Sequence, residues 1–342
     1  MMDFTPAESQ QAVAALAAEI LTEPDPWKEL ASAGLLDVTS LGLLDTTVLL
    51  TEIGRRAPSL KPLATLMTGA LPVLRWGNRP GLLAAVASGE LLLTAALREP
   101  SNPQPDPPAT TITAGKLTGT KVGVSHAEQA SLILVPCMIV NSSGQIGPKT
   151  VHDHGVALLS LQAEGVRLTR TPSASGEPEY TLRMDGAPIE GMLGGADCVR
   201  DLYQLAVAGA CALADGAVAG ALALTRDHVA TRQQFGRPLA AFQAVSQQIA
   251  DVYIASRTLH LTTLSACWRL DAGLEASSDL EVAGYWCAEQ APRSVRICHH
   301  LHGGLGMDVT YPLPRFSSLV ADLVRFLGGA EYRLERQACS ST

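Results

Sequence analysis

The sequence predicts an α+β fold, with a helical N-terminal domain, a middle antiparallel β-domain and a C-terminal four-helix bundle. Three observations support this fold class: helical apolar periodicity up to about residue 88, short β-rich runs between 110 and 188, and long Ala- and Leu-rich helical patterns beyond 200. We place the domain boundaries at residues 1–90, 91–197 and 198–342.

The N-terminal domain is predicted to contain five helices, at about residues 5–21, 27–33, 46–56, 60–74 and 80–88. Pro and Gly separate these segments, as expected for residues that end helices. The segment 35–44 is predicted to be a short link between the second and third helices.

The middle domain is predicted to form a small antiparallel sandwich or barrel. Its strands are expected at 111–114, 116–125, 131–140, 156–161, 166–171 and 180–184, separated by Gly, Ser, Asn and Asp. Residues 188–195 are predicted to be a linker into the C-terminal domain.

The C-terminal domain is predicted to be a bundle of four antiparallel helices, at about 201–231, 240–270, 280–301 and 314–326. The segment 205–224 has Asp215 as its only charge and is long enough to cross a bilayer. Because Ala and Gly dominate it, we expect a helix buried inside the bundle and no membrane span.

The bulk composition excludes some classes of partner. The net charge of −8 argues against nucleic acid or an anionic membrane surface. The seven Cys form no CxxC pair, which indicates reduced, mostly buried thiols and a cytoplasmic protein. The N-terminus shows no pattern of a signal peptide.

The turn between the first two long helices carries the clearest functional pattern. Gly236 is expected to cap the first helix in the left-handed conformation, and Pro238 to begin the next. Arg232 offers a planar fork for pyrophosphate, Gln234 an amide donor, and Phe235 an aromatic face. A plain helical hairpin with a solvated Arg is the alternative, and spacing alone favours it.

This turn, with Phe242-Gln243-Ala244-Val245 after it, resembles the RxxFGxPxxxFQxV signature of FAD-dependent acyl-CoA dehydrogenases. The resemblance covers nearly the whole chain and implies the acyl-CoA dehydrogenase fold with FAD as cofactor. In that family the turn reaches across the dimer interface to the FAD of the neighbouring subunit. By resemblance, Arg232, Gln234, Phe235 and Gln243 are candidate FAD contacts.

A second motif, residues 299–307, contains His299, His300 and His302 before Gly303-Gly304. A metal site is disfavoured because adjacent His point apart on a helix and no acidic or Cys ligand is suitably spaced. The stretch resembles the family's QxxGGxG motif, with His300 in place of Gln. This resemblance makes His300, Gly303 and Gly304 candidate contacts to the adenosine-pyrophosphate end of FAD.

Two landmarks in the middle domain also resemble the family. Residues 95–100 correspond to the xxLTEP segment, with Arg98 in place of Thr, and residues 117–121 correspond to LxGTK. Beyond them, Gly123 falls where the family has Trp, and Ser125 keeps a hydroxyl where the family has Thr. The resemblance therefore implies a flavin contact at Ser125 with a poorer wall at Gly123. The segment 35–44 also lacks the family's Gly-rich PxxxGG stretch.

The catalytic base of the family is missing. Acyl-CoA dehydrogenation needs a carboxylate to remove the α-proton. By alignment of motifs, the two positions at which the family carries this Glu hold Leu327 and Ala206. Asp201, Asp215 and Asp308 are the nearest carboxylates in sequence. Asp201 is the least disfavoured substitute, and the ordinary role expected for each of the three is solvation, helix capping or a core hydrogen bond.

The chain as a whole resembles one subunit of the actinobacterial heterotetrameric (α2β2) acyl-CoA dehydrogenases of steroid side-chain degradation. That resemblance implies a non-base subunit that completes the FAD site, a homologous partner that carries the Glu, a steroid acyl-CoA substrate and an electron-transfer flavoprotein as acceptor. Two other hypotheses stay open: a self-sufficient dehydrogenase with an atypical base such as Asp201, and a flavin-free structural or regulatory subunit.

Overall fold

The computed structural model describes residues 4–340, except residues 24, 57, 58, 60 and 141–153. The described residues form two compact units. A helical unit is made from segments 1–22, 47–59 and 207–342, and a β-containing unit from segments 23–46 and 60–206.

The β-containing unit is built on one eight-stranded sheet. Its strands are β1 (Leu93–Ala95), β2 (Thr111–Thr113), β3 (Lys116–Ser125), β4 (Leu132–Val140), β5 (His154–Leu159), β6 (Val166–Thr171), β7 (Glu179–Pro188) and β8 (Gly191–Gly194). The strand order is β6-β7-β3-β2-β4-β5-β8, with β1 also paired to β4. Val, Leu, Ile and Ala side chains from these strands form a buried core on the sheet.

The middle domain was predicted to be antiparallel, but its sheet is mixed. β1 and β2 both pair with β4 in parallel, whereas all other pairs are antiparallel. Parallel pairing needs long connections between the strands, and both pairs have them, since β3 lies between β2 and β4 in the chain. The predicted linker 188–195 contains β8, which pairs with β5 and extends the sheet.

Several helical segments complete this unit. They are α2 (Pro26–Ser32), the first part of α3 (Val38–Arg56), a π-helical segment (Leu63–Ala70), α4 (Leu71–Trp76), α5 (Pro80–Ala87) and the first turns of α6 (Ala196–Thr231). The predicted link 35–44 is helical from Val38, with a kink at Gly42, where φ is 70°. Asp37 stabilises this start because its carboxylate accepts hydrogen bonds from Thr39 and Ser40.

The helical unit contains α1 (Glu8–Ile20), the second part of α3, most of α6, and then α7 (Gln243–Asp271), α8 (Ser277–His302), α9 (Leu313–Leu327) and α10 (Ala330–Ser340). Four of the predicted bundle helices are present, and α10 was missed. The last predicted helix ended at about residue 326, before Gly328 and Gly329, which both have a φ of 89°. These two glycines make the turn that leads into α10.

Small residues let α6 pack closely inside this unit. A Cβ atom added at Gly216 would lie 1.9 Å from the backbone oxygen of Thr51, and one at Gly54 would lie 2.2 Å from that of Leu213. Only glycine permits such approaches between helix backbones. The most apolar window of α6 is 89% buried within the protein, as in the core helix of a soluble protein.

The cysteines follow the prediction of burial. The six whose side chains the structure describes are all buried and form no disulfide with one another. Burial raises the pKa of both Cys137 and Cys198 to about 12. The side chain of Cys339 lies outside the described residues.

Candidate functional site

The segment after α6 forms a small β-hairpin. Two strands, β9 (Gln233–Gln234) and β10 (Arg237–Pro238), pair antiparallel. The two residues between them, Phe235 and Gly236, both have left-handed backbones, with φ of 52° and 77°. Positive φ at both central positions characterises the type I′ turn.

The end of α6 at Thr231 agrees with the predicted bound, but the hairpin corrects the predicted caps. Gly236 is left-handed as expected, but it lies in the hairpin turn and does not cap α6. Pro238 belongs to β10, and α7 begins only at Gln243. The amide of Leu239 donates to the carbonyl of Arg232 at 2.9 Å and closes the base of the hairpin.

The side chains of the hairpin are exposed to solvent. Phe235 is 90% exposed, and Arg232, Gln234 and Gln243 are also exposed. Within the described residues, the side chains of Arg232 and Gln234 make no hydrogen bond. An exposed aromatic ring on a left-handed backbone is unfavourable in an isolated domain, so this turn has the character of a contact surface.

The glycine motif lies where α8 ends. Gly303 caps α8 with a φ of 59°, and a helical turn over residues 303–307 follows. A Cβ atom at Gly303 or Gly304 would meet no atom within 4 Å, so a ligand could approach this backbone closely. His300 is exposed beside them.

The three neighbouring imidazoles do not converge. His299 Nε2 lies 3.0 Å from Ser317 Oγ, and His302 Nδ1 lies 2.8 Å from the carbonyl of Cys298. His302 is buried, whereas His300 is exposed.

In the β-containing unit, the two family landmarks meet in a buried ion pair. The Glu99 carboxylate accepts hydrogen bonds from Lys121 Nζ at 2.8 Å, from the amides of Ala109 and Thr110 at 2.8 Å, and from Thr110 Oγ1 at 2.7 Å. Burial alone would raise the pKa of the Glu99 carboxyl, but the Lys121 charge and these hydrogen bonds outweigh it and lower that pKa. These residues therefore support the fold.

Next to this ion pair, Gly123 forms a bulge in β3. The register between β3 and β7 shifts between Lys121 and Val124, and Gly123 has a φ of 66°. The side chain of Arg98 lies against this glycine, since a Cβ at Gly123 would be 2.8 Å from Arg98 Nη1. The two departures from the family pattern, at 98 and 123, are therefore in contact.

Ser125 ends β3, opposite Glu179 of β7. Its carbonyl accepts a hydrogen bond from Thr94 Oγ1 at 2.8 Å, which fixes the backbone at this point. Ser125 lies in the β-containing unit, whereas all other candidate FAD contacts lie in the helical unit.

The two positions assigned to the family's base are apolar and completely buried, with Leu327 and Ala206 both at 0% exposure. Leu327 is the last residue of α9, and its carbonyl accepts a hydrogen bond from Arg333 Nε at 2.7 Å. Arg333, which is also buried, pairs with Glu281 at 3.2 Å. The ion pair of Arg333 and Glu281 therefore lies beside Leu327, inside the helical unit.

The three substitute carboxylates are all engaged within the fold. Asp201 Oδ1 accepts from Arg75 at 2.6 Å, and its Oδ2 accepts from Trp76 Nε1 at 2.7 Å. Asp215 is 3% exposed and lies 2.8 Å from His260 Nδ1. Asp308 accepts the backbone and hydroxyl hydrogen bonds of Thr310, which lower the pKa of its carboxyl.

Sequence reasoning missed two arrangements near these residues. The sequence contained a sign of the contact between Arg98 and Gly123. The larger Arg98 replaces the family's Thr, and the smaller Gly123 replaces the family's Trp, so one side chain gains the space that the other gives up. The second is a stack of His228 on His302, with ring centroids 4.3 Å apart and planes at 19°. The sequence indicated this stack only by placing His228 near the end of α6 and His302 at the end of α8.

Comparison with known proteins identifies the family. The family model "Acyl-CoA dehydrogenase, C-terminal domain" matches residues 203–335. Acyl-CoA dehydrogenase FadE28 of Mycobacterium tuberculosis is 45% identical over 352 residues, which cover 98% of this chain and 97% of that protein. The chain belongs to the acyl-CoA dehydrogenase family. The family consists of flavoprotein oxidoreductases that act on CH–CH bonds.

Solved structures agree with this assignment. A chain of the ChsE4–ChsE5 complex from Mycobacterium tuberculosis superposes with a TM-score of 0.88 at 28% identity, covering 99% of this chain and 98% of that one. A chain of the Tcur3481–Tcur3483 steroid ACAD superposes with a TM-score of 0.87 at 29% identity, with 97% of both chains covered. The predicted acyl-CoA dehydrogenase fold is therefore confirmed, and its sheet is mixed.

Family membership implies FAD, and the helical unit offers groups that fit it. The exposed Arg232 and Gln234 are donors not used within the described fold, and Phe235 presents an open aromatic face. The backbone at Gly303 and Gly304 is open to close approach. This set matches an anionic, flat-ringed ligand.

Proposed function

We propose that this chain is a subunit of a heteromeric FAD-dependent acyl-CoA dehydrogenase that desaturates the side chain of a steroid CoA thioester. It completes the FAD site, and a homologous partner supplies the catalytic Glu. The observation that supports this most strongly is a contrast. Both base positions, Leu327 and Ala206, are apolar and buried, while the hairpin and the glycine turn are exposed.

In this proposal each exposed residue has a role in holding FAD. Arg232 and Gln234 donate to the pyrophosphate, and Phe235 and Gln243 contact the cofactor beside them. His300 donates a hydrogen bond, Gly303 and Gly304 let the backbone approach, and Ser125 contributes a hydroxyl. FAD, when bound, accepts the hydride from the β-carbon.

The heteromeric role is supported by structural relatives that pair two different chains. ChsE4 and ChsE5 form a complex, and Tcur3481–Tcur3483 is a steroid ACAD. The α2β2 assembly, the steroid acyl-CoA substrate, the electron-transfer flavoprotein as acceptor and the cytoplasmic location are carried over to this chain as parts of the proposal.

The engaged carboxylates argue against the rival with an atypical base. Each oxygen of the Asp201 carboxylate already accepts a hydrogen bond, one from Arg75 and one from Trp76, so this group is held in place within the β-containing unit. The exposed donors of the hairpin argue against the flavin-free rival, because they have no use within the described fold.

The decisive experiment is the visible absorption spectrum of the chain purified alone and co-purified with an acyl-CoA dehydrogenase from its own gene neighbourhood. Flavin absorbance only in the co-purified sample, bleached by a steroid acyl-CoA, is the expected result. Flavin and bleaching in the lone chain would overturn the shared site, and absence of flavin from both samples would favour the flavin-free subunit.

Two arginine variants sharpen this test. Arg232→Ala is expected to remove most of the flavin from the co-purified complex. Arg226→Ala is the matched control, because Arg226 is also exposed, near the same end of α6, but pairs with Asp227 at 2.9 Å. Equal flavin content in both variants would contradict the role of Arg232.

The variant Asp201→Asn tests the atypical base. An amide cannot accept the α-proton, although it can still accept a hydrogen bond from Trp76. If the partner supplies the Glu, the turnover of the folded complex stays within about threefold of the wild type, whereas loss of a base costs a factor of about 100 or more. A loss of that size with retained flavin would show that Asp201 is the base.

A further inference from the structure

The hairpin and the glycine turn are connected by a pair of stacked histidines. His228 lies in the last turn of α6, just before the hairpin, and His302 is the last residue of α8, just before Gly303. Their ring centroids are 4.3 Å apart and nearly parallel. The ring of Tyr311 lies 5.3 Å from His302, at the far end of the turn that begins at Gly303.

The hydrogen bonds of His302 define its neutral tautomer. Nδ1 lies 2.8 Å from the carbonyl of Cys298, which can only accept, so Nδ1 carries the proton. Nε2 is then an acceptor for the hydroxyl of Tyr311 at 3.1 Å. The neutral ring therefore satisfies both nitrogens and ties Tyr311 to the end of α8.

We propose that His228 and His302 are positioning residues, which hold the hairpin and the glycine turn in fixed relation while both rings are neutral and release them when protonated. We call this contact between the two neutral rings the histidine lock, and all of its residues belong to this chain. Its consequence for FAD rests on the proposed function, in which both turns contact the cofactor.

The charges around the stack favour the neutral state. Arg232 follows His228 on the hairpin, and His299 lies one turn before His302 on α8. Tyr311 is uncharged, and the Asp308 carboxylate of the same turn is bonded to Thr310. The groups whose charges act on the two rings are Arg232, on His228, and the neighbouring imidazoles, on His302, so a proton on one ring would face a second imidazole and Arg232.

Burial first, and the Arg232 charge second, lower the pKa of His228. Burial also lowers the pKa of His302, against the raising effect of the Cys298 carbonyl and with the help of His228 and His299. A ring that is released from the stack regains its ordinary pKa near 6.5 and takes up a proton that the stacked ring resists. The locked state is consequently favoured above about pH 6.5 and loses its advantage as the pH falls below that value.

Hydrogen exchange of the full chain tests the lock. After correction for intrinsic rates, the amides of residues 233–241 and 304–310 are expected to exchange at least about threefold faster at about pH 5.5 than at about pH 8. The amides of β3, in the other unit, serve as the internal reference.

Three variants separate positioning from general packing. His228→Phe keeps a stacked ring without a titrating group, so the pH effect on both turns should fall to less than about half. His228→Ala removes the stack, so exchange should be fast at both pH values. His154→Gln, in β5, is the control and should keep the wild-type pH dependence. Equal exchange of the wild type at both pH values, or unchanged protection in His228→Ala, would overturn the proposal.

Flavin content of the complex distinguishes this inference from the proposed function. If the lock fails while flavin still requires Arg232, the proposed function stands. If the turns loosen with pH while flavin never binds, the lock stands and the proposed function fails.

Discussion

Two sets of family motif residues use their polar groups in opposite ways. In the β-containing unit, the Glu99 carboxylate accepts four hydrogen bonds and Lys121 is completely buried. In the helical unit, Arg232 and Gln234 lie exposed on a hairpin and make no hydrogen bond within the described residues. A motif match alone does not tell these roles apart. The difference shows that a motif residue whose bonding groups are used internally supports the fold, and it underlies the proposal that the exposed motif residues face a ligand.

The largest expected effect on stability comes from breaking the buried ion pair. Lys121→Met leaves the Glu99 carboxylate buried without its cation, which should lower the free energy of unfolding by about 3–5 kcal/mol. Lys116→Met is the control, because Lys116 begins the same strand but is exposed. Denaturant unfolding measures both variants, and an equal, small effect in the two would show that the ion pair does not stabilise the unit.

The loss of unfolding free energy in Lys121→Met should also depend on pH, which tests the ion pair directly. The pKa of Glu99 is lowered in the folded protein, so its contribution to stability is present above about pH 4.5 and is lost as the pH falls below that value. In Lys121→Met the buried carboxylate has lost its cation, so burial raises its pKa and the variant takes up a proton at a higher pH than the wild type does. The stability difference between the two proteins should therefore shrink as the pH falls from about 7 to about 4. A difference that stayed constant over this range would indicate lost packing and no lost ion pair.

A smaller effect is expected at the bulge in β3. Gly123→Ala places a Cβ on a backbone with a φ of 66°, which should cost about 1 kcal/mol. Gly176→Ala is a matched control, because Gly176 has a φ of 78° but open space around it. Any excess cost at Gly123 measures the displacement of Arg98, and the excess should vanish in an Arg98→Ala background. An excess that persisted there would disprove the contact.

The parts of the fold that could be predicted from sequence are those determined by residues close together in the chain. The bounds of β3 and β6 were predicted correctly, because turn residues bracket each apolar run. The helices α6 to α9 were predicted from their periodicity. The parallel pairing of β1 and β2 with β4, the strand β8 and the hairpin after α6 were missed, since each depends on partners that only the folded chain brings together.

The candidate site divides in the same way. The hairpin and glycine residues could be named from motifs, because the motifs are continuous in sequence. The roles of Arg98, His228 and His302 could not, because each acts through a residue distant in the chain. A sequence can indicate such a pair when both residues depart from the family pattern, as at positions 98 and 123. The two departures can be related to each other only when the structure shows that the residues are in contact.

The smallest effect on stability is expected at the most exposed residue of the hairpin. Phe235→Gly removes a ring that is 90% exposed from a backbone with a φ of 52°. The relief of left-handed strain and the greater freedom of glycine when unfolded nearly cancel, so the free energy of unfolding should change by less than about 0.5–1 kcal/mol. The flavin content of the co-purified complex should nevertheless fall, because the aromatic face is lost. A clear loss of stability in the lone chain would mean that Phe235 supports the fold, as Glu99 and Lys121 do, and would remove the contrast between the two sets of motif residues.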